Sequence, residues 1–462
     1  ATNSIFNWYT SYDNIKVVYR KPGLDNTDER YTNREEVNIG KHFKRFNVTL
    51  SKQAGKLEET WSGFRGNNFD NIYITDIKLK NTLSENLNEI KWEHKLGEGY
   101  AAPVIYKGRV YILDYIESEN SDALRCFDLV TGKELWRRWY NVFVARNHGK
   151  SRTVPAVNNS YVLTLGPKAH VMCVDRITGD LMWTRDMPDD YGSEIPQWYA
   201  GQCPLIDNNQ AILAPAGKDY LLVGIDLKTG KKIWSTPNPE EIKMSHSSVI
   251  KMNIHGKLMY VYCGIGGIAG ISAEKSDIGK MLWHNTKWQA SVIAPSPVYT
   301  TNGKIFMTAG YGAGSAVFEV KKNNGKWQAI LKKSWKPNRG IACEQQTPVL
   351  YNNMLISILP KDAGAYRQQL VASDPSDDFK IKIRSSRELR FGLGPYMIAD
   401  NKIFVLDDKG VLSILKMTNK SFKLLYKKEI LPGHDSWGPF AIADGYMLMR
   451  DTEKMICVDL RK

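Results

Sequence analysis

The sequence has no apolar run close to the roughly 18 residues that a membrane-spanning helix needs, so no transmembrane segment is expected. Cysteine is scarce: six residues, at 126, 173, 203, 263, 343 and 457, with no CxxC, no CxxCH and no adjacent pair. This excludes the spacings of a structural zinc site, a c-type haem and a thioredoxin-like motif. Cys126, Cys173 and Cys457 share one position of a repeated turn motif, and equivalent positions in successive units lie too far apart to bridge. They read as small buried apolar residues, and the cysteines do not report a compartment. No recognition helix, aromatic platform motif or zinc-knuckle spacing accompanies the net charge of +14, which argues against nucleic-acid binding. A basic balance still favours anionic partners in general. The densest basic cluster is Lys41-His42-Phe43-Lys44-Arg45.

What the sequence does hold is β-forming and turn-forming. Hydrophobic residues make up 42% and charged residues 24%, the balance of a globular chain. Thirteen Trp, 23 Tyr and 36 Gly point to short strands and many turns. The chain opens at Ala1 with no Met and no visible signal peptide, the pattern of a mature form or of a trimmed chain.

One unit recurs eight times. A small-residue segment leads to Pro, then an alternating apolar strand, a turn and a second strand. The Pro stands at 103, 155, 204, 297, 348, 395 and 439, and Val249 takes its place in the fourth unit. Successive spacings are 52, 49, 45, 48, 51, 47 and 44 residues, the period of a four-stranded propeller blade. The second half of the unit reads CFDLVTGKELW to Trp136, CVDRITGDLMW to Trp183 and GIDLKTGKKIW to Trp234, with a looser copy ending at Trp283. Asp makes an Asx-type turn, Thr-Gly supplies a positive φ, and Trp is a plate that fills the gap between neighbouring blades. Units five to seven keep only the strand pattern.

The eighth unit stops at CVDLRK, without a fourth strand. Glu89-Ile90-Lys91-Trp92-Glu93 is an orphan strand with Trp92 in the place of Trp136. The expected fold is therefore all-β: an eight-bladed propeller of four-stranded antiparallel blades, closed by an N-terminal strand at about 89–96. Such closure removes a free sheet edge. Residues 1–60 read as an N-terminal extension packed on the ring or on a partner, and residues 61–462 as one propeller.

These motifs resemble the PQQ-like (quinoprotein-like) β-propeller repeat family, whose unit carries an AxDxxTGxxxW turn. Trp61-Ser62-Gly63-Phe64-Arg65-Gly66, followed by LGEGYAAPVIYKGRVYIL, resembles the opening of secreted bacterial PQQ-like propeller proteins. The resemblance covers residues 61–462 and is specific for fold, weak for function. It implies one of two poles. PQQ-dependent alcohol dehydrogenases are periplasmic enzymes with PQQ and calcium in the channel, an adjacent Cys pair, a catalytic Asp and acidic calcium ligands. The Cys pair is missing here, so PQQ is not expected. The outer-membrane assembly lipoprotein BamB is a scaffold without chemistry, although Ala1 is not its lipidated Cys.

In a propeller the residues just before each innermost strand gather at one channel mouth. Here they include Arg146, Asn147, His148 and Arg152 in unit two, Trp198, Tyr199 and Gln202 in unit three, and His246 in unit four. Glu344 and Gln345 follow in unit six, Arg390 in unit seven, and His434, Asp435 and Trp437 in unit eight. Three readings follow. The channel is simply wet. It binds a polar or anionic small molecule or glycan, with Arg as clamp and Trp as stacking surface. Or His148, His246 and His434 hold a divalent metal, completed by Glu344 or Gln345. No residue is assigned a catalytic role. The leading expectation is a periplasmic or extracellular scaffold or subunit of an envelope assembly, meeting partner proteins through the extension and the loop rims. A channel-mouth binding protein or enzyme is the alternative.

Overall fold

The Asp-x-x-Thr-Gly stretches reverse the chain as their chemistry requires. Asp128 Oδ1 accepts the N–H groups of Val130 and Thr131, both at 2.9 Å, and Asp175 Oδ1 accepts those of Ile177 and Thr178 at 2.9 and 2.8 Å. Asp226 Oδ1 accepts Thr229 N–H at 2.7 Å. Gly132, Gly179 and Gly230 then take φ of 71, 69 and 69°, the left-handed region that glycine enters without a steric cost.

Built from such hairpins, the computed structural model describes residues 56–145, 150–300 and 303–462, with the backbone of a short strand at Phe43–Arg45. Eight antiparallel sheets follow one another round a ring. Blade one runs outward as Val104–Tyr106, Arg109–Ile116, Ser121–Asp128 and Glu134–Asn141. Blade eight holds Ala441–Ala443, Tyr446–Arg450 and Lys454–Asp459, and Ile90–Lys95 pairs antiparallel with the last of these as the fourth strand. Helix is nearly absent: the described residues hold one five-residue α-helix, Met187–Tyr191.

At four junctions, from blade eight round to blade four, a tryptophan welds one blade to the next. A Cβ built on Gly132 would lie 2.6 Å from Trp92, one on Gly179 2.8 Å from Trp136, and one on Gly230 2.6 Å from Trp183. The fourth joint repeats this with Gly279, 2.7 Å from Trp234. Each glycine thus serves twice, for the turn and for the plate above it. Trp92 and Trp183 also donate their Nε1–H to Leu129 and Leu227 carbonyls at 2.8 Å. Two residues past each Trp, a second contact forms: His94, Arg138, Arg185 and Thr236 each bond the carbonyl of that same turn glycine. Ring closure between blades eight and one therefore uses the device that joins the repeats elsewhere.

Across the sheet, Trp92, Trp136 and Trp183 face Cys457, Cys126 and Cys173, while Trp234 and Trp283 face Gly224 and Gly270. The cysteines are the small residues that leave room for the indole, and all six are buried free thiols. A one-residue bulge falls between the third and fourth strands at this point in all eight blades, including those without the turn motif. A bulge increases the local twist that a blade needs.

Two sheets exceed four strands, and two of the three surplus strands lie on the channel side. Thr60–Trp61 pairs with the innermost strand of blade one, and Ile72–Tyr73 runs parallel to the innermost strand of blade seven. Between them, the Ser62 carbonyl accepts Val157 N–H of blade two at 2.7 Å. Arg65 is buried and donates to the carbonyls of Phe69, Asp70, Thr347 and Pro348, the last two leading into blade six. Residues 60–73 therefore form a plug tied to four blades. Glu59, which the sequence assigned to the extension, anchors it from outside: it bonds Tyr73 and accepts Thr75 Oγ1 at 3.1 Å and Asp444 N–H at 2.5 Å. At the ring's outer rim, Phe43–Arg45 adds to the fourth strand of blade one.

Candidate functional site

The plug turns the channel mouth into a blind cup. Its cavity of about 240 Å³ draws lining residues from all eight blades, and Phe64 of the plug forms part of the wall. Arg152, Trp198, His246 and Glu344 come from segments that precede innermost strands, and Tyr311 and Lys361 from loops between the second and third strands of blades five and six. Arg152, Trp198, His246, Glu344, Gln345 and Trp437 all face this space. On the plug's other side a separate cavity of about 320 Å³ is lined by Ser62, Phe69, Tyr106 and Asn158 among others.

Two aromatic pairs frame the cup. Trp198 stacks with Tyr311 (centroids 5.5 Å apart, 29° between planes), and Tyr100 meets Trp437 at 5.0 Å and 34°. Trp437 is fixed by its indole N–H donating to Asp408 Oδ1 at 2.7 Å and by its carbonyl accepting Gln346 Nε2 at 3.0 Å. Trp198, Tyr199 and Tyr311 have φ of 64, 69 and 55°. Bulky L-residues avoid that region, and such backbone strain concentrates at functional sites.

The lining carries charges of both signs. Arg152, Lys361 and Glu344 all line the cup, and the Lys361 backbone nitrogen is 3.5 Å from Glu344 Oε2. Burial lowers Arg152 to about 10, so it stays charged at neutral pH. Burial and then Arg152 push His246 down to about 3; it is a neutral imidazole whose Nδ1 has no hydrogen-bond partner among the described residues. Burial raises Glu344 above the usual carboxylate range. Cys203 also lines the cup, but burial holds its thiol up at about 11, far from a ready nucleophile.

Other predicted residues stand elsewhere. Gln202 is buried and bonds both polar groups of Ala214 at 2.9 Å, so it ties its own blade together. Tyr199 is buried and its hydroxyl accepts Ala145 N–H at 3.0 Å. Arg390 is not among the lining residues: it donates to the carbonyls of Ala365, Arg367 and Arg387 and pins a blade-six loop. The His434 side chain is 80% exposed at the rim, 3.2 Å from Asp435. Arg146, Asn147 and His148 lie outside the described residues. Among the described residues no three of His, Cys, Asp and Glu gather closely enough to hold a metal ion. Among the described lining residues Glu344 is the one carboxylate. Sequence reasoning missed Tyr100, Tyr311 and Lys361. Tyr100 precedes Pro103 much as Trp437 precedes Pro439, a signal the repeat alignment carries. Tyr311 sits in a glycine-rich turn that reads as a bland strand connection.

Behind the mouth, Asp122 accepts Ser151 Oγ at 2.9 Å and Tyr140 OH at 3.2 Å, and burial raises it to about 7. A raised carboxyl stabilises the fold fully below its unfolded value near 4 and loses that contribution as pH rises through 7. Urea unfolding from pH 5 to 8 is expected to show a falling midpoint, and Asp122→Asn to remove on the order of 2–4 kcal/mol of that fall. Part of the remainder belongs to Asp444, raised to about 6 by burial and then by Glu59. An unchanged pH slope in the variant would show that Asp122 ionises normally.

Residues 119–377 match the family model described as outer membrane protein assembly factor BamB. A curated relative, the quinoprotein alcohol dehydrogenase PedH of Pseudomonas putida, is 22% identical over 174 residues, 36% of this chain. The match spans only 28% of that enzyme's length. Among solved structures, BamB from Moraxella catarrhalis superposes with a TM-score of 0.53 at 12% identity, over 80% of this chain and 99% of its own. The quinohemoprotein alcohol dehydrogenase from Comamonas testosteroni gives 0.56 at 12% identity, over 87% and 81%. At these identities the structural likeness speaks for the fold alone.

Proposed function

This chain belongs to the family described as outer membrane protein assembly factor BamB, and from that premise we propose that it works by binding, as a non-catalytic scaffold or subunit of a periplasmic or extracellular envelope assembly. The observation that supports this reading is the filled channel. Residues 60–73 bond to blades one, two, six and seven in the space a deep cofactor occupies in a propeller enzyme. The loop rims and the N-terminal extension are then the surfaces left for protein partners. No helix among the described residues is long and apolar enough to cross a membrane.

The test compares the full chain with residues 56–462, a variant that keeps the plug. Cross-linking in envelope extract, read by mass spectrometry, should capture the same defined partner with the full chain and lose it with the variant. The variant's melting curve is recorded beside the capture, because the deletion also removes Phe43–Arg45 from the edge of blade one. Equal capture by both forms would contradict docking through the extension, and capture by neither would contradict the scaffold reading.

A second reading is favoured by one specific observation, the left-handed aromatics at the cup. Strained Trp198 and Tyr311, stacked at a cavity that Arg152 and Lys361 also line, support a binding site for a polar or anionic small molecule or glycan.

A further inference from the structure

We infer that the cup takes a single sugar ring bearing a carboxylate, a uronic acid either free or at the end of an acidic glycan. This rests on the second reading above and names its ligand class.

Size comes first. At about 240 Å³ the cavity lies below the usual range for drug-sized ligands, and its plugged floor stops a longer molecule from threading through. One ring fits, with anything longer leaving through the open mouth.

The walls then choose between ring types. A flat aromatic ligand sandwiched between two plates needs roughly 7 Å between them, twice the ordinary contact distance of about 3.5 Å. Both aromatic pairs are already closed on themselves, at 5.5 and 5.0 Å. Each pair therefore presents an outer face, which suits the C–H face of a saturated ring, and leaves no slot. The rest of the lining adds hydrogen-bonding groups for hydroxyls, Gln345 and the His246 Nδ1 that no described residue bonds. A bare aromatic acid would leave the buried His246 Nδ1 unsatisfied, at a cost.

Charge selects the carboxylate. Among the described lining residues Arg152 and Lys361 outnumber Glu344 by one charge, with Asp362 and Asp408 close to Glu344 outside the lining. A uronate brings one negative charge and can accept the planar guanidinium fork. A sugar phosphate brings nearly two.

The experiment titrates the full chain with glucuronate, glucose, benzoate and a short oligoglucuronide, following tryptophan fluorescence and calorimetry. Glucuronate is expected to bind saturably, with glucose at least about tenfold weaker for want of the ionic contact. Tyr311→Ala and Lys361→Gln sit on exposed loops, so both should fold, and each should weaken glucuronate about tenfold. Arg152→Gln should weaken it further, with its melting curve recorded beside the titration. Tighter binding of the oligoglucuronide than of glucuronate assigns the site to a glycan end, and equal binding to the free sugar acid. Equal affinity for glucose and glucuronate, or tighter binding of benzoate, overturns the sugar-acid assignment while keeping a ligand site at the mouth. Absence of saturable binding for all four probes overturns both. None of these outcomes depends on the partner captured by the extension.

Discussion

Arg65→Ala is expected to unlock the channel plug and to lower the stability of the ring by about 3 kcal/mol or more. The guanidinium is buried and satisfies four carbonyls, of Phe69, Asp70, Thr347 and Pro348. Hydrogen bonds to a charged donor are each worth about 1.5–3 kcal/mol, and carbonyls left dry and unpaired add their own penalty. Burial lowers the Arg65 pKa only to about 10, so the charge and all four bonds persist at neutral pH. Arg65→Lys should rescue little, because three donors on a point charge cannot reproduce the fork. The measurements are the urea midpoint and the rate at which a protease cleaves between residues 60 and 73. A variant as stable and as resistant as the parent would mean that the plug is held without its arginine.

Gly230→Ala should be nearly as damaging, for reasons that separate cleanly. The residue sits at φ 69°, where an L-side chain costs about 1–2 kcal/mol. Its new Cβ would also lie 2.6 Å from Trp183, so the indole must move and its 2.8 Å bond to Leu227 stretches. Overpacking of this kind costs about 1–3 kcal/mol, and the total should be about 3 kcal/mol. Gly256→Ala is the control: φ is 83° with nothing within 4 Å of the added Cβ, so only the backbone cost of about 1 kcal/mol applies. In Trp183→Ala the plate is gone, and adding Gly230→Ala there should cost no more than the control. Additive losses in the double variant would show that Gly230 and Trp183 do not touch.

These joints were the most legible part of the chain. Asp, Thr, Gly and Trp recur at fixed offsets because one local geometry, an Asx turn beneath an indole, demands all four. The period of 44–52 residues and the orphan strand around Trp92 followed from counting units. The reason for Cys126, Cys173 and Cys457 was only half legible: their equivalence is visible in sequence, whereas the indole across the strand pair is a matter of register. The plug was not legible. Its strands are two residues each, too short for any periodicity, and its anchors lie near 280 residues away, as in the bonds from Arg65 to Thr347 and Pro348. At the mouth, residue type alone could not separate Arg152, which lines the cup, from Arg390, which pins a loop. The same holds for Trp198 against Gln202. Which polar side chains a blade spends on its own backbone is decided by where the next loop lies.

The blind cup is the central claim, and amide hydrogen exchange on the full chain tests it most directly. If residues 60–73 fill the ring, the amide of Asn71, bonded to the Arg65 carbonyl at 2.9 Å, and those of the Thr60–Trp61 ladder should exchange as slowly as the ring amides of the Tyr161–Leu165 strand. Exchange in this segment at the rate of an unstructured peptide, beside a protected ring, would contradict the account: the channel would be open from end to end, and the mouth would have no floor.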